Sequence, residues 1–500
     1  MNDTALTELA STGIAGLDAI VLGGLERRRL HLVEGMPGSG KTTLALQFLI
    51  EGARLGERCL YITLSETERE LRRVAASHGW SLEGVTILEV IPLEADPEQQ
   101  QGMIHPSDLE FDQTVGIITE KMRELAPDRL VVDALTELRL LAQDPLSYRR
   151  QILTLKRSFA QCESTVLALD DLTESMPGLH LHSVVHGIIS LEQRRMSYGV
   201  FRRRLSILKL RGTDFRSGYH DYVIRTGGLT VYPSLLATEH QVEFGAQSFS
   251  SDIGPLDELL GGGLRPGTST LLIGPSGVGK SSLALQYAMS ASRRGHRAAV
   301  FAFDESFRTA AERALGLGMD LHEACRSDRL HWERISPTTL SPGEFVDNVM
   351  RQVELGAQIV IVDSLNSYIA SMPEEHALVL HMHELLVYLG NQGVATILIM
   401  AQHGLVGDTQ APLDLSFLAD AIVLLRYFEA EGEVRKAISV LKSRSGRHET
   451  TIREYQLISE QGISVGPPIR AFQGVLTGVP SFVGQTGSLL DVAHDQGSRD

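Results

Sequence analysis

Two stretches of the chain carry the residue types, in the right spacing, to cradle a phosphate. Gly35-Met36-Pro37-Gly38-Ser39-Gly40-Lys41-Thr42, followed by Thr43, and Gly274-Pro275-Ser276-Gly277-Val278-Gly279-Lys280-Ser281, followed by Ser282, both read G-x-x-x-x-G-K-[ST]. In such a loop the glycines let consecutive backbone N–H groups curl round a phosphate at a helix N-terminus. The lysine reaches the β- and γ-phosphates, and the hydroxyl of Thr42 or Ser281 ligates Mg2+. A Gly-rich turn without a ligand is the plain alternative for a single copy. Two copies, each between a predicted strand and a predicted helix, point to ATP at both.

Acidic and basic residues fall where the chemistry of a bound nucleotide needs them. Asp133 and Asp363 end the apolar runs 130–133 and 359–363, where a carboxylate can hold the Mg2+ shell through the loop hydroxyl or a water; an ordinary strand-end Asp is the other reading. Ser65-Glu66 and Asp304-Glu305 follow a second pair of apolar runs, at the carboxyl ends of expected parallel strands, where ligands bind in open α/β sheets. Glu66 and Glu305 are therefore the candidate catalytic bases that orient a water, with Asp304 a second acid; for Ser65 and Asp304 an N-cap of the following helix competes. Lys209 with Arg211, and Lys442 with Arg444, place two cations at i and i+2, one face of a strand. They can neutralise nucleotide phosphates, or simply sit as solvated charge on an edge.

These residues need a scaffold, and the chain supplies the same one twice. Short β-rich runs at 29–34 and 268–273 end at glycine and pass into helical patterns at 43–54 and 282–291, giving strand, loop, helix. Apolar runs at 58–63 and 298–303, with those at 130–133 and 359–363, read as parallel strands covered on both faces. Asp18 and Asp257, Gly24 and Gly263, Lys41 and Lys280, and Glu66 and Glu305 all lie 239 residues apart; Asp133 and Asp363 lie 230 apart, and Lys209 and Lys442 lie 233 apart. A duplicated unit with small length changes between motifs is the simplest account. The expected organisation is a first domain over 1–240, a second over 241–475 and a polar C-terminal tail over 476–500, in the α/β class with mostly parallel sheets flanked by helices.

Composition narrows the function classes. The 500 residues are 43% hydrophobic and 22% charged, with mean hydropathy −0.01, which suits two globular domains and neither a disordered nor a membrane chain. Lys plus Arg number 46 against 62 Asp plus Glu, and the resulting −16 repels nucleic-acid backbones. Arg194, Arg195 and the run Arg202, Arg203, Arg204 form the only cluster dense enough to oppose that. Cys59, Cys162 and Cys325 are widely spaced without a CxxC pair, so neither a disulfide framework nor a zinc site is implied. His180, His182 and His186 have no spacing that fixes a metal geometry. With no basic-then-apolar amino terminus and no run of 18 apolar residues, the expected location is the cytoplasm, with no membrane partner.

From Thr12 to about Gly474 the chain resembles the KaiC family of RecA-like ATPases, the bacterial clock ATPases and their relatives. The resemblance is carried by Gly13-Ile14-Ala15-Gly16-Leu17-Asp18, both phosphate loops, Glu66, Asp304-Glu305, Leu208-Lys209-Leu210-Arg211-Gly212-Thr213, Ala419-Asp420-Ala421-Ile422-Val423-Leu424-Leu425-Arg426-Tyr427 and Val440-Leu441-Lys442-Ser443-Arg444. It implies two tandem RecA-like P-loop domains and a homohexameric double ring with ATP between neighbouring subunits. Lys209, Arg211, Lys442 and Arg444 would then reach the γ-phosphate held by the adjacent subunit. It also implies slow hydrolysis and, in clock members, a serine/threonine autokinase in the second ring.

The chain departs from that pattern in two places. Clock members have Ser-Thr where this chain has Ser416-Phe417, and the upstream threonine position holds Ala411. Ser416 alone is left as a phosphorylation candidate, or as a polar residue before a helix. In the first domain Ser65 replaces one of a carboxylate pair, and His186 stands near the position equivalent to Asp420. The first ring is accordingly expected to bind ATP mainly to hold the hexamer while the second turns over more. Three functions stay open: a nucleotide-driven regulatory switch whose tail from Pro480 docks a regulatory protein, a RecA-like DNA repair or recombination ATPase, and a nucleotide-binding scaffold with negligible turnover.

Overall fold

The computed structural model describes residues 8–90, 106–142, 144–172, 179–195, 199–237, 241–336, 338–370, 378–402, 416–430, 432–444, 446–470, 472–475 and 481–482. Ala411 and nearly all of the tail expected over 476–500 lie outside these residues, and of Ser416 only the backbone is described. The chain divides into two compact units, Met1–Ser234 and Leu235–Asp500.

In the first unit one sheet holds β1 Leu30–Gly35, β2 Cys59–Thr63, β3 Val85–Glu89, β4 Arg129–Asp133, β5 Thr165–Asp171, β6 Gly187–Arg194, β7 Arg202–Leu210, β8 His220–Arg225 and β9 Gly228–Tyr232. Their order is β9-β8-β7-β6-β1-β5-β4-β2-β3, with β1 to β6 parallel and β7 to β9 added antiparallel at one edge. The second unit has β10 Ser269–Gly274, β11 Arg297–Ala302, β12 Leu330–Arg334, β13 Ala357–Asp363, β14 Ala395–Ala401, β15 Ala421–Ala430, β16 Glu433–Ser443, β17 Arg453–Ile458 and β18 Gly462–Pro468. Its order, β18-β17-β16-β15-β10-β14-β13-β11-β12, repeats the first strand for strand. Both units are RecA-like α/β domains.

The parallel strands are near-continuous apolar runs because alternate side chains bury on opposite faces. Leu32, Leu60, Ile62, Leu130 and Val132 enter one core of the first unit, and Val33, Tyr61 and Val131 the other. Four helices matter for the sites: α1 Lys41–Arg54, α2 Glu68–Ser77, α3 Lys280–Arg293 and α4 Phe307–Leu315. The first and third begin two residues before the apolar periodicity predicts. Gly40 and Gly279 sit at φ 101° and 114°, and this left-handed residue turns the loop directly into the helix, so the lysine is already its first residue.

The repeated Asp18 and Asp257 are structural. Asp18 accepts hydrogen bonds from Thr12 N (2.8 Å), Thr12 Oγ1 (2.7 Å) and Ser11 Oγ (2.7 Å), and Asp257 from Ser251 N (2.9 Å) and Ser250 Oγ (2.6 Å). Each carboxylate closes the turn that opens a short helix, Ala15–Ile20 or Gly254–Leu259. From Leu235 the chain packs on the second unit. Asn391 Nδ2 donates to Ala237 O (2.8 Å), Val242 N donates to Asn391 O (3.1 Å), and the Phe244 ring covers Gly393, where a Cβ would come within 2.4 Å of it. Among the described residues no helix is long and apolar enough to cross a membrane.

Candidate functional site

Each phosphate loop leaves the carboxyl end of the sheet's central strand and enters a helix N-terminus. The strand can end so close to its neighbour only because it ends in glycine: a Cβ on Gly35 would lie 2.5 Å from Leu191 O, and one on Gly274 would lie 2.3 Å from Leu425 O. The crests, Pro37 with Gly38 and Ser276 with Gly277, are exposed, while Ser39, Val278, Thr43 and Ser282 are buried beneath them. Lys41 Nζ donates to Gly35 O (2.9 Å) and Met36 O (3.2 Å), and Lys280 Nζ to Gly274 O (2.9 Å) and Pro275 O (2.8 Å). Both lysines are under a tenth exposed, so they lie under the loops, where loop-bound phosphate is also held.

A second prop comes from the antiparallel edge. Tyr222 on β8 donates to Ser39 O (2.6 Å), and Tyr455 on β17 donates to Val278 O. Sequence reasoning missed this pair. The signal was available, since 222 and 455 are 233 apart, the same separation as Lys209 and Lys442.

At the foot of each loop a hydroxyl meets a carboxylate. Thr42 Oγ1 donates to Asp133 Oδ2 (3.2 Å), Tyr61 OH donates to the same oxygen (2.5 Å), and Ser281 hydrogen-bonds Asp363. Burial raises the pKa of both aspartates; the Tyr61 and Thr42 bonds oppose it at Asp133, and the Ser281 bond opposes it at Asp363. Among the described residues no group of three or more His, Cys, Asp or Glu converges on a metal position. One hydroxyl and one carboxylate are hard oxygen donors that fit Mg2+ carried largely by nucleotide phosphates and water, rather than a cation in an all-protein cage.

The helix caps do not fall on the acidic pairs. Thr67 caps α2, accepting from Glu70 N (3.3 Å) with Glu70 reaching back to Thr67 N (2.9 Å), and Ser306 caps α4, accepting from Thr309 N (3.2 Å). Ser65 and Asp304 therefore cap nothing. Asp304 is exposed and accepts from Ser364 Oγ (2.7 Å) and Ser367 Oγ (2.6 Å). Glu66 is half-buried, and its Oε2 is buried without a hydrogen-bond partner. Burial raises its pKa above the usual carboxylate range, with the Asp133 and Glu70 charges adding to the shift. Glu305 instead faces Arg313, with Nη2 2.6 Å from Oε2.

The four cations lie at the other end of the sheet. Lys209 stands opposite Ile188, which pairs with Leu32, three residues before Gly35; that is about 10 Å along the strand from the loop. Lys442 stands opposite Ile422, which pairs with Leu271 three residues before Gly274. Lys209 Nζ donates to the carbonyls of His182 and Val185, Arg211 Nη2 to Ser183 O (3.0 Å), and Lys442 Nζ to Ala419 O (2.9 Å). Arg444 N donates to Asp420 O (2.8 Å) just as Arg211 N donates to His186 O (3.2 Å), so His186 and Asp420 hold equivalent positions.

The histidines do not converge: His182 Nε2 is 2.8 Å from Glu34 Oε2 and His186 Nε2 is 2.7 Å from Glu26 Oε2, while the His180 side chain lies outside the described residues. In the arginine run Arg202 is buried, and Arg204 stacks 4.4 Å over Tyr219 and sits 3.7 Å from Glu192.

Both units match the model of the KaiC ATPase family, over residues 10–235 and 249–470. The chain belongs to the KaiC family of ATPases. It is similar to the circadian clock protein KaiC3 of Synechocystis sp., 27% identical over 501 residues that cover 96% of each chain. It is also similar to the circadian clock oscillator proteins KaiC of Parathermosynechococcus lividus, 27% identical over 94% of this chain and 88% of that one, and of Synechococcus elongatus, 26% identical over 94% and 92%.

Within this KaiC-family chain the two loops have different neighbours. Lys41 Nζ forms an ion pair with Asp171 Oδ1 at 2.6 Å, at the end of β5; the ladder puts Asp171 opposite Gly35, and in the second unit Ala401 stands opposite Gly274. Asp171 was not singled out from sequence, although an acidic pair ending the apolar run 165–169 was the available sign. Lys280 has no such carboxylate at Ala401; burial lowers its ammonium to about 8, with Asp363 opposing.

Two outcomes follow. Asp171 competes with phosphate for Lys41, so in a Lys280→Ala chain the change Asp171→Ala should tighten ATP binding at the first loop roughly tenfold by calorimetry; weaker binding would show that Asp171 helps hold the nucleotide. At the second loop, in a Lys41→Ala chain, phosphate favours the charged Lys280, so ATP binding takes up a proton once the pH passes about 8. Affinity should then fall by up to about tenfold per pH unit above that point, and calorimetry in buffers of different ionisation enthalpy should detect the uptake.

Proposed function

We propose that the protein is a slow, Mg2+-dependent ATPase that works in the cytoplasm as a homohexameric regulatory switch, with each nucleotide shared between neighbouring subunits. The observation that carries this reading is the position of Lys209 and Lys442, about 10 Å along the strand from their own phosphate loops, with Arg211 and Arg444 two residues further away. A γ-phosphate gathers negative charge during transfer and needs cations close to it. A head-to-tail neighbour that brings its amino-end rim to this unit's loop supplies them, and repetition of such a contact closes a ring.

Lys41 and Lys280 hold the β- and γ-phosphates, and the loop N–H groups curl round them. Thr42 with Asp133, and Ser281 with Asp363, hold Mg2+, which when bound neutralises phosphate charge. Glu66 and Glu305 orient the attacking water and accept its proton as its oxygen bonds to the γ-phosphorus and the bridging oxygen leaves with ADP; Asp304 is a second acid. Half-burial and an unpartnered oxygen suit Glu66 to that proton transfer.

In the second unit we assign Ser416 as an acceptor of the γ-phosphoryl group, its hydroxyl oxygen replacing water and ADP leaving. Its sequence place, four residues before Asp420, supports this. The tail over 476–500 is the proposed docking segment for a regulatory protein. A DNA repair role draws no support from the arginine run, whose Arg204 is committed to Tyr219 and Glu192.

Subunit mixing tests the shared site. A chain with Lys41→Ala and Lys280→Ala lacks working loops, and one with Arg211→Ala and Arg444→Ala lacks the donated cations. Each alone should be nearly inactive, while a co-expressed equal mixture should recover about a quarter of wild-type turnover, the share of sites pairing an intact loop with an intact neighbour. A mixture no more active than the mean of its parts places the cations in their own subunit's site or outside the chemistry. Intact mass after incubation with Mg-ATP should show one added phosphate that Ser416→Ala removes; an unmodified wild-type mass rules out the acceptor role.

A further inference from the structure

The two carboxylates read as bases share a position in the duplicated fold but not an environment. Arg313, on α4, meets Glu305 with two nitrogens: Nη2 to Oε2 at 2.6 Å and Nε to Oε1 at 3.3 Å. Its remaining Nη1 donates to Ser282 Oγ at 2.7 Å. Ser282 adjoins Ser281 at the start of α3, so one guanidinium ties Glu305 to the phosphate-loop helix. In the first unit the residue 239 positions before Arg313 is Val74, and the one before Ser282 is Thr43. With no arginine there, Glu66 keeps a buried oxygen free of any partner and a pKa raised mainly by burial.

A base that takes a proton from water needs an oxygen lone pair directed at that water and enough proton affinity to accept. A two-pronged guanidinium occupies a lone pair on each oxygen and aims the carboxylate at α4. We propose that Arg313 is a positioning residue that clamps Glu305 and restrains ATP hydrolysis in the second unit, leaving the first unit as the faster hydrolytic site. This reverses the division expected from the acidic pairs alone. It rests on Glu305 being the base of the second site.

The test uses the full chain with Glu66→Gln, which keeps both phosphate loops and leaves turnover to the second unit. Adding Arg313→Val, the residue of the first unit, should raise kcat about tenfold with KM within about twofold, since Arg313 touches the base and not the loop crest. Arg313→Lys, which keeps the charge but loses the fork, should give a smaller gain. Glu305→Gln on top of Arg313→Val should abolish the gain. In the reciprocal chain, Glu305→Gln with Val74→Arg should lower first-unit kcat by a similar factor.

An unchanged or lower kcat for Arg313→Val, in a chain with wild-type melting temperature and assembly size, overturns the clamp. If Arg313→Val does not fold, an unchanged kcat in the folded Val74→Arg chain overturns it. Should Glu305→Gln alone leave second-unit turnover intact, the assignment of the base fails instead, and the two failures are distinguishable.

Discussion

Both sites depend on one backbone constraint, the passage from the central strand through the phosphate loop into a helix. Gly35 and Gly274 approach a neighbouring carbonyl too closely for any Cβ, and Gly40 and Gly279 adopt the left-handed conformation that starts the helix at the very next residue. That next residue is the lysine. Helical geometry then buries its ammonium beneath the loop, where the loop's own carbonyls lie in reach, joined at Lys41 by Asp171, and a buried ammonium without acceptors is too costly to persist. Thr42 and Ser281 follow on the same helical turn and so come to face Asp133 and Asp363. The tyrosine from each antiparallel edge fixes the loop from behind, which gives the three added edge strands a role at the site.

On this common frame the two units have diverged at single positions. The ladders make Glu34 equivalent to Ile273, Asp171 to Ala401 and Tyr61 to Val300, while the constant separation of 239 residues sets Val74 against Arg313. Each substitution moves charge or a hydrogen bond and leaves the backbone register alone. In the first unit charge gathers round the loop lysine, and in the second round the carboxylate read as the base. Two sites built on one turn thus differ in which partner is engaged by the protein itself: Lys41 by Asp171, and Glu305 by Arg313.

The scaffold was legible in the sequence because its determinants are local. A phosphate loop, an apolar run that ends in Asp and a repeat of fixed separation can all be read without knowing what lies across the sheet, and the strands they predict lie where expected. The site was legible only in part. Glu66, Glu305 and the aspartates follow from their places at strand ends. Asp171, Arg313, Tyr222 and Tyr455 act through contacts with residues 130 or more positions away in three cases, and with a residue eight positions away, back across the start of a helix, in the fourth, so no local pattern marks them. The N-cap reading of Ser65 and Asp304 shows the opposite case. Local propensity allowed it, but Thr67 and Ser306, two residues further on, take the caps.

Strand direction gives the proposed assembly its physical logic. In a parallel sheet every loop that binds a ligand leaves the carboxyl ends of the strands, so a cation placed near the amino ends cannot serve its own loop without crossing the sheet's length. Lys209 and Lys442 have the same partner in the ladder, opposite Ile188 and Ile422, and a register shift follows each of those isoleucines. A bulge at that place re-aims the strand end that carries the cation. Preservation of bulge and register in both units, through the changes of chain length between their motifs, is what a rim used for one and the same contact requires. Solvated charge by itself needs no fixed register, whereas a shared contact does.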